Sequence, residues 1–349
     1  YCDHFFLTYI DSFNCHIKSN YIIFDEYDLE KILKKTASYL LNDYSISELN
    51  NMLSKLKYEN KEYIEYLLGF TDSFSFGVSW VDNTIALCKR NNSLMFDDLI
   101  IGTLYFLKNN EKVRQIEQKK YQYILVDEFQ DTTPSTYELM KILSDYHKNL
   151  FVVGDPDQSI YEFIGANPRI LLNEFIEDFP TTKTLLMNSN YRSTSQIIEM
   201  SNRLIENNVD RYAQKNTISA DNKLGNPIIC SHFFKAEEQY YYVCRIIKHL
   251  HDNLNYEYDD IYLLARNNYS FISMKKHLIK NNIPYVNSRT TKKLSDREEI
   301  KLIMYYLSFA ISESAFSLYN INDIVGFGIP KTEMEEILNV DINPTQFLL

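Results

Sequence analysis

The chain has 349 residues, 45% of them apolar, which is enough core-forming material for two or three globular domains. Its net charge of −11 argues against a protein that holds nucleic acid through a broad basic surface, because such binding depends on many Lys and Arg contacts with phosphate. We therefore expect any nucleic-acid site to be a local groove.

Cysteine usage and apolar patterning predict a cytoplasmic protein without membrane association. The cysteines form no C-x-x-C pair, which argues against a disulfide framework or a zinc site. They are Cys2, Cys15, Cys88, Cys230 and Cys244. No run approaches 18 uninterrupted apolar residues, and the first residues show neither a basic leader nor an apolar signal core. Because the sequence begins at Tyr1 rather than Met, we expect it to be a fragment.

The first third of the chain has a helical pattern. Apolar residues recur at helical spacing over residues 28–68, and Ser45-x-x-Glu48 predicts a capping box that opens a further helix. The same pattern continues over residues 61–107, with Gly77 as a break.

The pattern changes at Gln122, where strands begin to alternate with helices. Residues 123–126 are a short apolar run that predicts a strand buried on both faces of a parallel sheet, and Thr133 caps a helix that begins at Pro134. The later predicted units, in chain order, are strand 150–153, helix 169–179, strand 184–187, a helix after a Ser193-x-x-Gln196 capping box, strand 227–233, helix 236–250, strand 261–265, helix 270–280, and helices from 297. This alternation predicts a doubly wound α/β architecture, with a helical insertion before the acidic strand.

Polar residues just after two of the buried strands are the candidates for chemistry, because ligands bind beyond the carboxyl ends of strands in open α/β sheets. Asp127 at the end of the first strand can hold Mg²⁺, and the adjacent Glu128 can orient and deprotonate a water that attacks a phosphate. Alternatively, the two acids lie in a surface turn before a helix, where they favour the helix dipole. For an Asp-Glu pair alone, that second interpretation is the more frequent one.

The second group of polar residues follows the strand at residues 150–153. Gln158 can sense a phosphate, and Tyr161 and Phe163 offer ring faces on which unpaired bases stack. The alternative is a turn followed by aromatic residues of the core.

Three strings in this region resemble consecutive helicase motifs of the UvrD/PcrA/Rep branch of superfamily 1. They are VDEFQDT at 126–132, VVGDPDQSIYEFIGA at 152–166 and NYRS at 190–193, in order and at suitable spacing. Weaker matches lie at residues 10–13, 96–99, 264–268, 283–285 and 297–301, so the resemblance covers nearly the whole chain.

The resemblance implies an α/β fold with RecA-like doubly wound parallel sheets in two motor domains, both partial, and an inserted helical subdomain. The implied division is as follows: residues 1–20 and 116–181 belong to the first motor domain, 21–115 to its helical insertion, 182–296 to the second motor domain, and 297–349 to the start of a second helical insertion.

The resemblance also implies roles for individual residues in a site for ATP and Mg²⁺. Asp127 would help to hold Mg²⁺ and Glu128 would activate the attacking water. Gln158 would contact the γ-phosphate, Tyr191 would stack on adenine, and Arg192 would reach the γ-phosphate from the second domain. The residues implied along the path of single-stranded DNA are Ser12, Phe13, Tyr161 and Phe163.

The implied function is ATP-driven movement on single-stranded DNA, in the 3′ to 5′ sense, with separation of duplex DNA. Two departures qualify it: Phe163-Ile164 stand where the family usually has Trp-Arg, and no G-x-x-x-x-G-K-[ST] occurs in the 349 residues. In the family that P-loop lies upstream of the part matched here and two further motifs lie downstream, so truncation is the simple explanation and degeneration the other. The alternatives are a regulatory DNA-binding subunit with an inactive motor, and the motor arm of a helicase–nuclease.

Overall fold

In the computed structural model, helices dominate the first 120 residues. The structure describes residues 1–9, 21–68, 71, 73–162, 165–208, 211, 215–265, 268–286, 298–312, 315–325 and 330. The helices of this first part are α1 (Cys2–Tyr9), α2 (Glu26–Thr36), α3 (Ile46–Glu59), α4 (Lys61–Leu67), α5 (Ser79–Arg90), α6 (Phe96–Asn109) and α7 (Glu111–Lys120). Two short parallel strands, β1 (Ile22–Ile23) and β2 (Ser93–Leu94), join the segment before α2 to the segment before α6.

The helical insertion predicted for residues 21–115 contains its own apolar core. Helices α2, α3 and α5 bury Leu33, Leu49, Trp80 and Val81 against one another. The predicted capping box of α3 is confirmed, since Ser45 N donates to Glu48 Oε2 at 2.7 Å and Glu48 N donates to Ser45 Oγ at 3.3 Å.

A buried ion pair fixes α6 to α3 and α4. Lys57 and Asp98 have side chains only 1% and 3% exposed, and Lys57 Nζ lies 2.9 Å from Asp98 Oδ1. Tyr63 Oη donates to the same oxygen at 2.8 Å, and Met95 N donates to Asp98 Oδ2 at 2.9 Å. Asp98 thus caps the first turn of α6 through Met95 N and also neutralises a buried ammonium group. These two contacts give the second aspartate of the 96–99 string a structural role.

The middle of the chain forms one parallel strand pair with helices on one face. Strands β3 (Ile124–Val126) and β4 (Leu150–Val152) pair in register, Val126 beside Val152. Helix α8 (Pro134–Ser144) starts at the predicted Thr133 cap, and the chain after β4 forms a π-helical turn at Ile170–Glu174 that leads into α9 (Phe175–Asp178).

The prediction that these strands are buried on both faces is wrong for the described residues. Val126 and Val152 pack on a core built around Phe129. The side chains that alternate with them, Leu125 and Phe151, are 73% and 59% exposed. The strands therefore have one packed face and one open apolar face.

The last part of the chain is described as helices with one short strand pair. It comprises β5 (Ser189–Asn190), α10 (Ser195–Ile205), β6 (Ile218–Ser219), α11 (Ala236–Leu254), α12 (Asn268–Lys280), α13 (Glu298–Ser312) and α14 (Ala315–Val325). The predicted helices near 236–250 and 270–280 are confirmed by α11 and α12.

The strands predicted at 184–187, 227–233 and 261–265 are wrong for the described structure. These segments have no ladder of backbone hydrogen bonds, and apolar side chains such as Met187 and Leu264 stay exposed. The described strands pair only two by two, so the doubly wound sheets remain a prediction.

The capping box predicted at Ser193 is also wrong. Thr194 is the residue before α10, and Gln196 Oε1 instead accepts from Gly225 N at 2.8 Å. Gly225 packs so closely against Thr194 that an added Cβ would lie 2.6 Å from its side chain, so only glycine fits there.

Two further predictions from the sequence concern the cysteines and membrane-spanning segments. Cys2, Cys88, Cys230 and Cys244 are free thiols, while Cys15 lies outside the described residues. Within the part of the chain that the structure describes, no helix is long and apolar enough to cross a membrane.

The buried ion pair yields a stability prediction. Asp98→Ala should lower the free energy of unfolding by about 3–5 kcal/mol, because it leaves a buried ammonium group without its counter-ion. Adding Lys57→Met should recover part of this loss, since it removes the unpaired charge. Chemical denaturation followed by circular dichroism measures both changes.

The matched control for this prediction is Glu30→Ala, which breaks the exposed α2 pair between Glu30 and Lys34. We expect it to change stability by less than about 0.5 kcal/mol. An Asp98→Ala variant as stable as this control would show that the buried pair does not hold α6 in place.

Candidate functional site at the ends of two parallel strands

The parallel register of β3 and β4 brings the first two candidate strings together. Phe129 N donates to Val153 O at 2.9 Å, and Val153 N donates to Val126 O at 2.8 Å. The pairing thus continues past both strands, and Asp127-Glu128 emerges beside Gly154-Asp155 at one end of the sheet.

Asp127 and Glu128 are both exposed at this end. Glu128 N donates to Asp127 Oδ1 at 2.9 Å, which leaves the other Asp127 oxygen without a hydrogen bond among the described residues. Glu128 has φ of +50° and ψ of +43°, in the left-handed region. For a side chain without the local hydrogen bonding of Asn, this conformation is uncommon and costs on the order of 1–3 kcal/mol. Such residues are found in turns and cluster at functional sites.

Gln130 is the residue that binds the two strings to each other. Its side chain is buried, and its Nε2 donates to Glu128 Oε2 at 2.7 Å while its Oε1 accepts from Asp155 N at 2.9 Å. The Gln130 amide therefore binds Glu128, the candidate general base, through its nitrogen and the loop after β4 through its oxygen.

Gly154 makes this bridge possible. A Cβ at residue 154 would lie 2.9 Å from Gln130 Oε1 and 3.1 Å from Gln130 N, so a larger residue would push the two strings apart. Sequence reasoning assigned no role to Gln130 or Gly154. Two features of the sequence could have indicated this bridge. One is the glutamine two residues after the candidate base Glu128, and the other is the glycine at the end of the next strand.

Gln158 lies on a single helical turn, Pro156–Gln158, that follows Asp155. Its Nε2 donates to Asp155 Oδ2 at 2.8 Å, although the residue as a whole is exposed. Asp155 therefore orients Gln158 through one N–H of its amide.

Two nearby carboxyl groups have shifted pKa values. Burial raises the pKa of Asp155, but hydrogen bonds from Lys215 and Gln158 outweigh it and leave that pKa below its usual value. Burial raises the pKa of Asp131, and the neighbouring Glu128 carboxylate raises it further. The Asp131 Oδ1 atom is buried without a hydrogen bond.

Tyr191 and Arg192 lie on the turn after β5. Asn190 Oδ1 accepts from Arg192 N at 2.9 Å and from Ser193 N at 2.7 Å, and this fixes the turn. Tyr191 is 78% exposed and Arg192 is exposed as well. Among the described residues, no hydrogen bond or ion pair joins either side chain to the strings after β3 and β4.

The candidate DNA contacts are only partly described. Tyr161 is half-buried, and its carbonyl accepts from Ala166 N at 3.3 Å. Ser12, Phe13 and Phe163 lie outside the described residues, as does Ile164. Their predicted roles on the DNA path stay predictions.

The carboxylates at the strand ends can be compared with the ligands that Mg²⁺ requires. No group of three or more His, Cys, Asp or Glu side chains that could hold a metal occurs among the described residues. Mg²⁺ does not need such a group, because it keeps several waters and binds through one or two carboxylates together with phosphate oxygens. A single exposed carboxylate such as Asp127 fits that mode.

Comparison with known proteins covers both halves of the chain. Residues 1–180 match the sequence model of the UvrD/REP helicase N-terminal domain, and residues 185–348 match that of the UvrD-like helicase C-terminal domain. The chain is 35% identical over 328 residues to the ATP-dependent DNA helicase Rep of Buchnera aphidicola subsp. Acyrthosiphon pisum, a match that covers 92% of this chain and 50% of the relative.

A second relative gives the same result. The ATP-dependent DNA helicase PcrA of Staphylococcus aureus is 32% identical over 332 residues, 93% of this chain and 44% of the relative. The chain thus spans about half the length of the curated relatives that it matches. With both domain models matched in chain order along nearly its whole length, the chain belongs to the UvrD/Rep helicase family.

Proposed function

We propose that this chain is a portion of an ATP-dependent DNA helicase or translocase that couples ATP hydrolysis to movement on single-stranded DNA and to separation of duplex DNA. The observation that carries the proposal is the Gln130 bridge, which unites Glu128 with the loop that bears Gln158. The two relatives described above are both named ATP-dependent DNA helicases, which supports the same activity. The 3′ to 5′ direction and a cytoplasmic location follow from the family resemblance and the composition.

The strand ends suit the chemistry of phosphate hydrolysis. Asp127 would hold Mg²⁺, and the ion would neutralise charge on the β- and γ-phosphates. Glu128 would orient the attacking water and accept its proton, and the Gln130 amide keeps that carboxylate in place. Gln158 would exchange its hydrogen bond to Asp155 for one to the γ-phosphate.

The second half of the chain would complete the site from across a cleft. Arg192 would stabilise negative charge in the transition state only when the cleft is closed, which couples hydrolysis to domain movement. Tyr191 is exposed and would stack on adenine. Ser12, Phe13, Tyr161 and Phe163 would line the path of single-stranded DNA.

The proposed domain division follows the sequence boundaries. The first motor domain would comprise residues 1–20 and 116–181, with residues 21–115 as its helical insertion. Residues 182–296 would form the first part of the second motor domain, and residues 297–349 would begin its own insertion. The apolar core shared by α2, α3 and α5 supports a helical insertion within residues 21–115, while Leu99 and Leu104 of α6 pack with Phe5 of α1 and Leu139 of α8.

Glu128→Gln, made in a longer protein that carries this chain together with a P-loop, should reduce ATP turnover at least about 100-fold, the usual contribution of a general base. ATP binding should stay nearly unchanged, because glutamine keeps the size of the side chain and can still accept from Gln130. Steady-state hydrolysis and binding of a fluorescent ATP analogue measure the two effects. The control is Glu177→Gln, at an exposed residue of α9, and loss of nucleotide binding in Glu128→Gln would indicate a structural role for Glu128.

Arg192→Ala in the same longer protein should slow turnover about 1,000-fold or more, as expected for an arginine that acts across a cleft. Arg203→Ala is the matched control, because Arg203 is an exposed arginine of α10 that pairs with Glu199 on its own helix. Normal turnover in the Arg192 variant would remove this residue from the site.

The 349-residue chain alone should show no DNA-stimulated ATP hydrolysis and only weak ATP binding. A P-loop supplies the backbone N–H groups and the lysine that hold the β- and γ-phosphates, and the sequence contains none. A phosphate-release assay on the purified chain with single-stranded DNA tests this expectation. Robust hydrolysis would show that the site is built differently from the proposal.

A further inference from the structure

Two cations from the second half of the chain meet the two carboxylates of the loop after β4. Lys215 Nζ binds Asp155 Oδ1 and lies 2.8 Å from Asp157 Oδ2, and Arg211 Nη2 lies 3.4 Å from the same Asp157 oxygen. We call Asp155, Asp157, Arg211 and Lys215 the charge cluster. The two carboxylates lie within residues 1–180 and the two cations within residues 185–348, so the cluster joins the segments matched by the two domain models.

The charge cluster is largely shielded from water. The Asp157 side chain is 4% exposed, those of Arg211 and Lys215 are 15% and 19% exposed, and that of Asp155 is 26% exposed. Exposed ion pairs contribute little to stability, whereas removal of one partner from a shielded group leaves an uncompensated charge. The cluster therefore constrains the position of the loop far more than a surface pair such as Arg203–Glu199 constrains α10.

Hydrogen bonds connect this cluster to the candidate base. Lys215 holds the Asp155 side chain, and the Asp155 backbone N–H donates to Gln130, whose amide in turn donates to Glu128. The second Asp155 oxygen accepts from Gln158. Asp155 therefore connects Lys215 to both Glu128 and Gln158.

The pairing of Arg211 with Asp157 is incomplete. Arginine and carboxylate prefer two parallel hydrogen bonds of about 2.7–2.9 Å. Here Arg211 Nε and Asp157 Oδ1 are both buried without a hydrogen-bond partner, and the remaining contact is 3.4 Å long. Arg211 Nη2 instead donates to Lys215 O at 3.0 Å, so Arg211 and Asp157 have room for a closer, two-bonded pairing that this structure does not use.

We propose that Lys215 and Arg211 are positioning residues that hold the Asp155–Gln158 loop, and through it Glu128, in a geometry set by the second half of the chain. The inference rests on the proposed function. Hydrolysis then responds to movement of the second half through this cluster as well as through Arg192.

The contact itself is tested on the 349-residue chain by hydrogen–deuterium exchange. The amide of Asp155 donates to the Gln130 side chain, and those of Asp157 and Gln158 donate to Asp155, so all three report the order of the loop. In Lys215→Met these amides should exchange about 10-fold faster or more, as expected when a hydrogen bond to a charged group is lost. Lys215→Arg should restore slow exchange, and Lys183→Met, at an exposed lysine, should have no effect. Unchanged exchange in Lys215→Met would overturn the proposal.

The effect on hydrolysis is tested in a longer protein that also carries a P-loop. Lys215→Met should raise KM for ATP and reduce the stimulation of kcat by single-stranded DNA about 10-fold, while Lys215→Arg recovers most of both. A merely structural role would lower kcat equally with and without DNA and leave KM unchanged, and that result would overturn the positioning role.

The two proposals fail in distinguishable ways. No hydrolysis by the unmodified longer protein would refute the proposed function, and the role of the cluster in hydrolysis with it, while the exchange experiment would still report whether Lys215 orders the loop. Normal hydrolysis that depends on Glu128 but does not change on mutation of Lys215 or Arg211 would refute only the positioning role of the charge cluster.

Discussion

The parallel pairing of β3 with β4 is the constraint on which the candidate site depends. Three residue pairs in register place the ends of both strands side by side, so Glu128 and Asp155 come within reach of one buried amide. Gly154 is the steric condition for this arrangement, because any Cβ there would collide with Gln130. The left-handed backbone at Glu128 is the local cost, and the Gln130 hydrogen bond helps to offset it.

Local signals made part of this arrangement predictable from the sequence. The short apolar runs at 123–126 and 150–153 marked β3 and β4, and the acids and the glutamine after them are the candidate site residues. The predicted helix caps were confirmed where the side chain bonds to the first turn of the following helix, as at Ser45 and Thr133. The family resemblance followed from three strings of seven, fifteen and four residues in the right order, where chance agreement of all three is small.

Other features depend on contacts between distant residues, which no local pattern encodes. Ser193 and Gln196 fit a capping box, but Gly225 draws Gln196 away, from 29 residues further along the chain. The Gln130 bridge and the charge cluster likewise join side chains far apart in the sequence. Strand predictions at 184–187, 227–233 and 261–265 rested on apolar content alone, and those segments lack neighbouring strands in the described structure.

The most direct test of the account is a structure of a longer, P-loop-containing protein with Mg²⁺, a non-hydrolysable ATP analogue and single-stranded DNA. The account predicts that the nucleotide lies beyond the ends of β3 and β4, with Asp127 bound to Mg²⁺ directly or through water. Glu128 should be hydrogen-bonded to the water in line with the γ-phosphate, and Gln158 should have turned from Asp155 to that phosphate. A nucleotide bound elsewhere, or a γ-phosphate out of reach of both Glu128 and Gln158, would contradict it.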